Sequence, residues 1–291
     1  MQTIESLKRQ LDTTETLQSV VKTMKSLAAS NIRQYERAVE SLEDYTRAVN
    51  LGLLALLLDA PAGGEDPKRS AEGPLAAMVF GSDQGLCGRI NDAVAERMEQ
   101  DMRGKEAPAA VIAVGERVAG RLRDAGFDVD RIIGVPGSAE GITARVEELL
   151  LLIDELRGQS RAGRVTAWFN KHESGTAFSP HSVRIYPLDT ARLREAENGA
   201  WPTRMIPEFS MSRERLFAAL VRQHIFINLF RAFAQSLASE NASRLVSMQG
   251  AEKNIDERMG ELTTLYNQQR QKAITEELLD IISGFTAIQN T

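Results

Sequence analysis

The sequence predicts an α/β protein whose two ends form long helices, paired antiparallel as a coiled coil, around a compact middle holding a mostly parallel sheet. Three observations predict this. All nine prolines fall between Pro61 and Pro207, so neither Met1 to Ala60 nor Glu208 to Thr291 contains the residue that removes a backbone donor and clashes with the preceding turn. Unbroken helices over those stretches would reach roughly 80 Å and roughly 115 Å at 1.5 Å per residue, far beyond an ordinary globular helix. Between them, short apolar runs alternate with segments of helical period. Aromatic content of 5% suits aliphatic helix packing better than a β-rich core.

The N-terminal helix carries a narrow apolar seam. Ile4, Leu7, Leu11, Leu17, Val21, Met24 and Ala28 recur at steps of three and four with one larger step, and Ile32, Tyr35, Val39, Leu42 and Val49 continue it. The helix is expected to end near Leu58, because Ala60-Pro61-Ala62-Gly63-Gly64 cannot continue it. Residues 61 to 74 hold three prolines and several charges and read as an exposed linker.

In the middle, Leu75 to Phe80, Ala109 to Val114, Arg131 to Val135 and Arg164 to Phe169 are strand-like, with helical segments at 89–103, 116–125 and 138–157 between them. That βαβαβ rhythm implies a Rossmann-like head with helices on both faces of a parallel sheet. Ser182 to Pro187 reads as an edge strand because proline flanks it. From Ser212 the helical pattern resumes and runs to about Ile288. Its first part, Leu216 to Leu237, is apolar on several sides and is expected to pack on the sheet. Beyond Asn241 the seam is regular through Leu245, Met248, Ile255, Met259, Leu262, Tyr266 and Ala273, with Glu252 and Gln269 as polar members. The expected boundaries are 1–58 for the first arm, 75–209 for the head and 212–291 for the second arm, in a register that sets Arg33 near Asp256.

With 43% hydrophobic and 26% charged residues the chain has the composition of a folded, soluble protein. A net charge of −5 argues against nucleic acid as a partner. A single cysteine, Cys87, excludes an internal disulfide and fits a reducing compartment. The N-terminus lacks the apolar core of a signal peptide, and the most apolar run, Leu51 to Leu58, is far short of the roughly 20 residues of a spanning helix. A cytoplasmic-side protein is expected.

The loop Gly81 to Gly88 follows a strand and opens a helix, which is the context of phosphate loops. It lacks the lysine-serine/threonine pair and the G-x-G-x-x-G spacing, so glycines serving a tight turn are the better account. Cys87 has no histidine or second cysteine in sequence reach, and His172, His181 and His224 give no metal-ligand spacing. The expectation is no catalytic, cofactor or metal site. Two other readings stay open at this level: a nucleotide-binding α/β enzyme with helical arms, and a passive coiled-coil tether.

Four motifs in order span nearly the whole chain: Val21-Lys22-Thr23-Met24-Lys25-Ser26-Leu27-Ala28-Ala29-Ser30, then Gly81-Ser82-Asp83-Gln84-Gly85-Leu86-Cys87-Gly88-Arg89-Ile90-Asn91, then Ala238 to Met248, then Tyr266 to Leu278. Together they resemble the signatures of the γ subunit family of F-type ATP synthases. The resemblance implies a rotor in the central stalk, with no active site or cofactor of its own. Its partners would be the α and β subunits of the catalytic hexamer, the small ε subunit and the membrane c-ring, at the cytoplasmic face of the bacterial inner membrane. It also implies contact positions: Met24, near an acidic lever of the β subunit, and Arg270, Gln271, Thr275 and Glu277, at the catch. Independently, Lys22, Lys25 and Arg33 lie where no acidic residue occurs between Glu15 and Glu36, a basic collar suited to an acidic loop. The chain departs from the pattern at Asn31, at Gly88-Arg89 and at Gly284-Phe285-Thr286-Ala287, which suggests a divergent branch. The cysteine pair of the light-regulated chloroplast form is absent, so no thiol switch is expected.

Overall fold

The computed structural model describes residues 3–58, 73–173, 175–189 and 208–289. Most of the expected linker at 61 to 74 lies outside the described residues, as do the side chains of 284–289. The first arm consists of α1 (Ile4–Glu40) and α2 (Glu43–Leu58), and the middle runs β1 (Leu75–Phe80), α3 (Ile90–Met102), β2 (Ala110–Val114), α4 (Glu116–Asp124), β3 (Arg131–Ile133), α5 (Ile142–Gly158), β4 (Arg164–His172) and β5 (Phe178–Tyr186). One 77-residue helix, α6 (Arg213–Gln289), follows.

The first arm is not one unbroken helix. Ser41 and Leu42 form a turn between α1 and α2. The Ser41 hydroxyl donates to the Ala38 carbonyl at 2.9 Å and Leu42 N–H bonds back only to Val39. The helix is interrupted here without any proline, at a serine whose hydroxyl bonds the backbone locally.

The chain divides into two compact units, one of residues 28–244 and one of 1–27 with 245–291. The larger is built on a five-stranded sheet of order β3-β2-β1-β4-β5. Its first four strands are parallel and β5 runs antiparallel along β4 at the edge, with Pro180 inside it where an edge tolerates the missing donor. All six residues of β1 and all five of β2 are buried, the continuous apolar run expected of a strand covered on both faces. Ala76, Met78 and Phe80 face α5 and the first third of α6, whereas Leu75, Ala77 and Val79 face α3 and α4.

The α6 face of this core centres on Phe233, 1% exposed, whose ring meets Phe80 edge-on at 4.9 Å and 89°. The span between Arg213 and Ser283 is long and apolar enough, by length and composition, to cross a membrane, but Ile225, Leu229, Phe233 and Leu237 within it are buried against the sheet. Val49 and Leu53 of α2 pack on Ile227 of α6. Within this unit the two arms run antiparallel: Asn31 bonds Asn241, and Tyr45 bonds Gln223.

In the smaller unit the same antiparallel order holds, with Lys25 paired to Glu252 and Gln18 bonded to Asp256. Asp256 therefore meets a residue roughly four turns before Arg33, which corrects the expected register. A regular seam fits many registers; the polar pairs Lys25–Glu252 and Gln18–Asp256 select one. The seam itself needs one correction. Leu17 is 53% exposed, and half-buried Thr14 and Gln18 take its place between Leu11 and Val21. The expected polar members Glu252 and Gln269 are half-buried, as seam positions are.

Two stability effects follow from this packing. Phe233→Ala should cost about 3–5 kcal/mol, read as a lowered urea midpoint with unchanged m-value. His224 on α6 is held down to about 4 from 6.5, by burial first and by the nearby Arg231 charge second. The unfolded chain therefore binds more protons than the folded one between those values, so stability is full above the window and falls as pH drops through it. His224→Gln should flatten that acid-side decline, measured as the change in urea midpoint between about pH 7.5 and about pH 4.5.

Candidate functional site

Open α/β sheets bind ligands outside the carboxyl ends of their strands, where the strand order reverses. Here that point lies between β1 and β4, since β1 is followed by β2 on one side and joined by β4 on the other. The chain itself occupies it. The Ser239 hydroxyl of α6 donates to the Asn170 carbonyl near the end of β4 at 2.9 Å, and the Ser243 hydroxyl donates to the Cys87 carbonyl in the loop after β1 at 2.7 Å. Asn170, fully buried, donates its amide to the Ile90 carbonyl where α3 begins, at 2.9 Å.

The Gly81–Gly88 loop spends its polar groups internally. Ser82 N–H donates to the Asn91 side-chain oxygen at 3.0 Å, and Asn91 donates back to the Ser82 hydroxyl at 2.9 Å. The Asp83 carboxylate accepts Glu116 N–H at 2.9 Å and Val135 N–H at 2.8 Å. It thus takes the N-terminus of α4, a place where a helix otherwise attracts an anion. Glycine is required at Gly81, where a Cβ would stand 2.4 Å from both Asn91 Oδ1 and Val118 Cβ. Leu86 adopts φ 62 and is 62% exposed, an uncommon conformation for a residue with a side chain. Cys87 is buried, and burial pushes its thiol up, against the reactivity of a nucleophile.

Around these latches α6 carries a run of buried polar residues: Ser239, Glu240, Asn241, Ser243 and Arg244 are each 9% exposed or less. Glu240 and Arg244 form an ion pair one turn apart. Burial pushes the Glu240 carboxyl upward while the Arg244 guanidinium pulls it back. Tyr35 of α1 is raised as well, by burial and then by the Glu240 charge. Sequence reasoning reached this segment as a motif but missed its role. The available signal was a serine pair at i and i+4 in a polar run that follows directly on the apolar stretch ending at Ala238.

The sequence-predicted contact residues fall into two groups. Met24 is half-buried in the seam and Lys22 is exposed beside it. Lys25 is paired to Glu252, the two side chains 34% and 20% exposed, so its charge is partly answered within the chain. Arg270, Gln271, Thr275 and Glu277 are all exposed on α6. The Thr275 hydroxyl donates to the Gln271 carbonyl of its own helix at 2.8 Å. Among and beyond them Ile274, Leu278, Leu279, Ile281 and Ile282 are 47–62% exposed. The structure does not bring Met24 or the lysines into one cluster with Arg270 to Glu277; they occupy different levels of the helices.

Among solved structures the fold is similar to a chain of the Euglena gracilis mitochondrial ATP synthase rotor, with TM-score 0.62 and 16% identity over 93% of this chain and 98% of that one. It is also similar to a chain of the Tetrahymena thermophila mitochondrial ATP synthase central stalk and c-ring, with TM-score 0.55 and 18% identity over 80% of this chain and 99% of that one. The chain thus shares its fold with those two chains. Residues 3–288 match the family described as ATP synthase. The gamma chain of Granulibacter bethesdensis is 26% identical over 302 residues, covering 99% of this chain and 100% of the relative. That of Geobacter metallireducens is 28% identical over 300 residues, covering 99% and 100%. The chain belongs to the ATP synthase γ-chain family, the central-stalk rotor of the membrane-associated F-type ATP synthase.

Asp83→Ala leaves two backbone donors without their acceptor and should lower stability by about 1–3 kcal/mol, whereas Asp83→Asn, which keeps one acceptor, should cost less. Urea titration of the two variants against the parent chain measures the difference.

Proposed function

We propose that this subunit carries no catalytic site and couples ion flow through a membrane c-ring to ATP synthesis or hydrolysis by turning inside a hexamer of alternating α and β subunits. The catalytic sites belong to the β subunits. In this reading residues 1–58 and 212–291 are the paired arms and 75–209 the head. The head meets the ε subunit and the ring, at the cytoplasmic face of a bacterial inner membrane.

The observation that carries the reading is the exposed end of α6. Ile274, Leu278, Leu279, Ile281 and Ile282 crowd five large apolar side chains into nine residues, all at least 47% exposed. Apolar surface of that density on a helix marks a partner contact. Just before and within it Arg270, Gln271, Thr275 and Glu277 present polar groups able to make hydrogen bonds, charge-assisted at Arg270 and Glu277, to a partner loop. A rigid, asymmetric helix that presents such groups to three otherwise identical sites in turn stabilises a different state at each, which is coupling by differential contact. Exposed Lys22, with Lys25 and Met24 beside it, supplies a second level of contact for an acidic loop of the β subunit. The charge attraction there is modest because the groups are solvated.

Arg270→Ala/Gln271→Ala keeps the helix and its seam. It should lower ATP turnover per assembled complex more than it lowers assembly. Leu262→Ala, at a seam position 2% exposed, should instead impair assembly, since a buried large-to-small change costs about 2–5 kcal/mol. Normal turnover by the assembled Arg270→Ala/Gln271→Ala complex would reduce those residues to solvated flank and sink the catch assignment.

A further inference from the structure

We propose that Ser239 and Ser243 are positioning residues that key α6 to the head, so that torque applied to the head reaches the helix without slip. The inference rests on the rotary reading above and adds to it the place where the load crosses from sheet to helix.

A helix held only by apolar side chains is held by a non-directional force. The contacts of Ala232, Phe233, Leu237 and Ala238 with the sheet resist separation of the helix but discriminate weakly against a small rotation about its own axis. Hydrogen bonds are directional and fail steeply with misalignment. Ser239 and Ser243 stand one turn apart on the same side of α6, about 6 Å apart along its axis. Their hydroxyls reach two carbonyls on different segments of the head: Asn170 in β4 and Cys87 in the loop after β1.

Both anchors are themselves fixed. Asn170 is tied to Ile90 through its amide, and the loop bearing Cys87 is tied through Ser82 to Asn91 and through Asp83 to α4 and Val135. Rotating α6 by a single residue step of about 100° would break both latches together. The Ser239 hydroxyl also lies 2.8 Å from the Gln235 carbonyl of its own helix. At the same level Asn241 bonds Asn31 at 3.3 Å, which carries the key across to α1.

The test compares loaded and unloaded work by the assembled complex. With Ser239→Ala/Ser243→Ala, ATP hydrolysis by the detached catalytic portion, where the rotor turns without load, should stay within about twofold of the parent. ATP synthesis driven by a small imposed ion gradient should fall about threefold to tenfold, the factor lost with one or two hydrogen bonds. Ser239→Thr/Ser243→Thr, which keeps both hydroxyls, should restore it. Synthesis at the parental rate by the alanine variant would overturn the proposal. So would an equal fall in both activities that the threonine variant does not repair, because that pattern is simple loss of structure. If the parent complex itself showed neither gradient-driven synthesis nor hydrolysis-driven ion transport, the rotary reading would fail, and separately from the latch.

Discussion

The architecture depends on where α6 crosses the sheet. The connections leaving the carboxyl ends of β1 and β4 run to opposite sides, as the strand order β3-β2-β1-β4-β5 requires, and backbone carbonyls at the end of β4 and in the loop after β1 face a crevice. In many α/β proteins a nucleotide satisfies those groups. Here two serines of α6 do so for two of them, with Ser239 on Asn170 and Ser243 on Cys87. Buried polar groups have to be paired, so the helix is fixed in position and in rotation by the requirements of the loops beneath it.

That one placement explains several features of composition. The first third of α6 is apolar on several sides because it lies against the sheet with α5 across from it, and Phe233 meets Phe80 there. Further along, the helix cannot be purely apolar, because the strand ends beneath it are polar. The Glu240–Arg244 pair is the costly part of the arrangement. Both side chains are at most 10% exposed, and Glu240 Oε2 and Arg244 Nε are buried without a hydrogen-bond partner. A buried ion pair seldom adds net stability over apolar replacements, yet losing one member leaves a stranded charge. Such a pair specifies arrangement more than it strengthens it.

Function follows from the contrast between the two ends of α6. Where it crosses the head, its polar side chains are buried and its partners are backbone groups of the same chain. Past Leu262 most of its side chains are exposed, with polar groups at Arg270, Gln271, Thr275 and Glu277 and apolar ones from Ile274 to Ile282. A subunit that transmits force needs both properties in one continuous helix. It needs a grip on one body fixed by directional bonds, and a surface offered to another that makes and breaks contacts.

Much of this was legible in the sequence, and for definite reasons. The absence of proline at both ends allowed the long helices, and the fully apolar runs at 75–80 and 110–114 announced strands covered on both faces. Glu252 and Gln269 could be picked out as polar seam members by period alone. Four motifs in order identified the family. The turn at Ser41 and Leu42 was not legible, because no proline or glycine marks it. Nor was the register: a seam of period three and four admits slips of whole turns, and only the meeting of Gln18 with Asp256 and Lys25 with Glu252 decides among them. The filling of the crevice belongs wholly to the tertiary structure. Ser239, Ser243, Asn170 and Cys87 come from three distant parts of the chain, and hydrogen bonds between such parts exist only once the sheet has fixed where each carbonyl points.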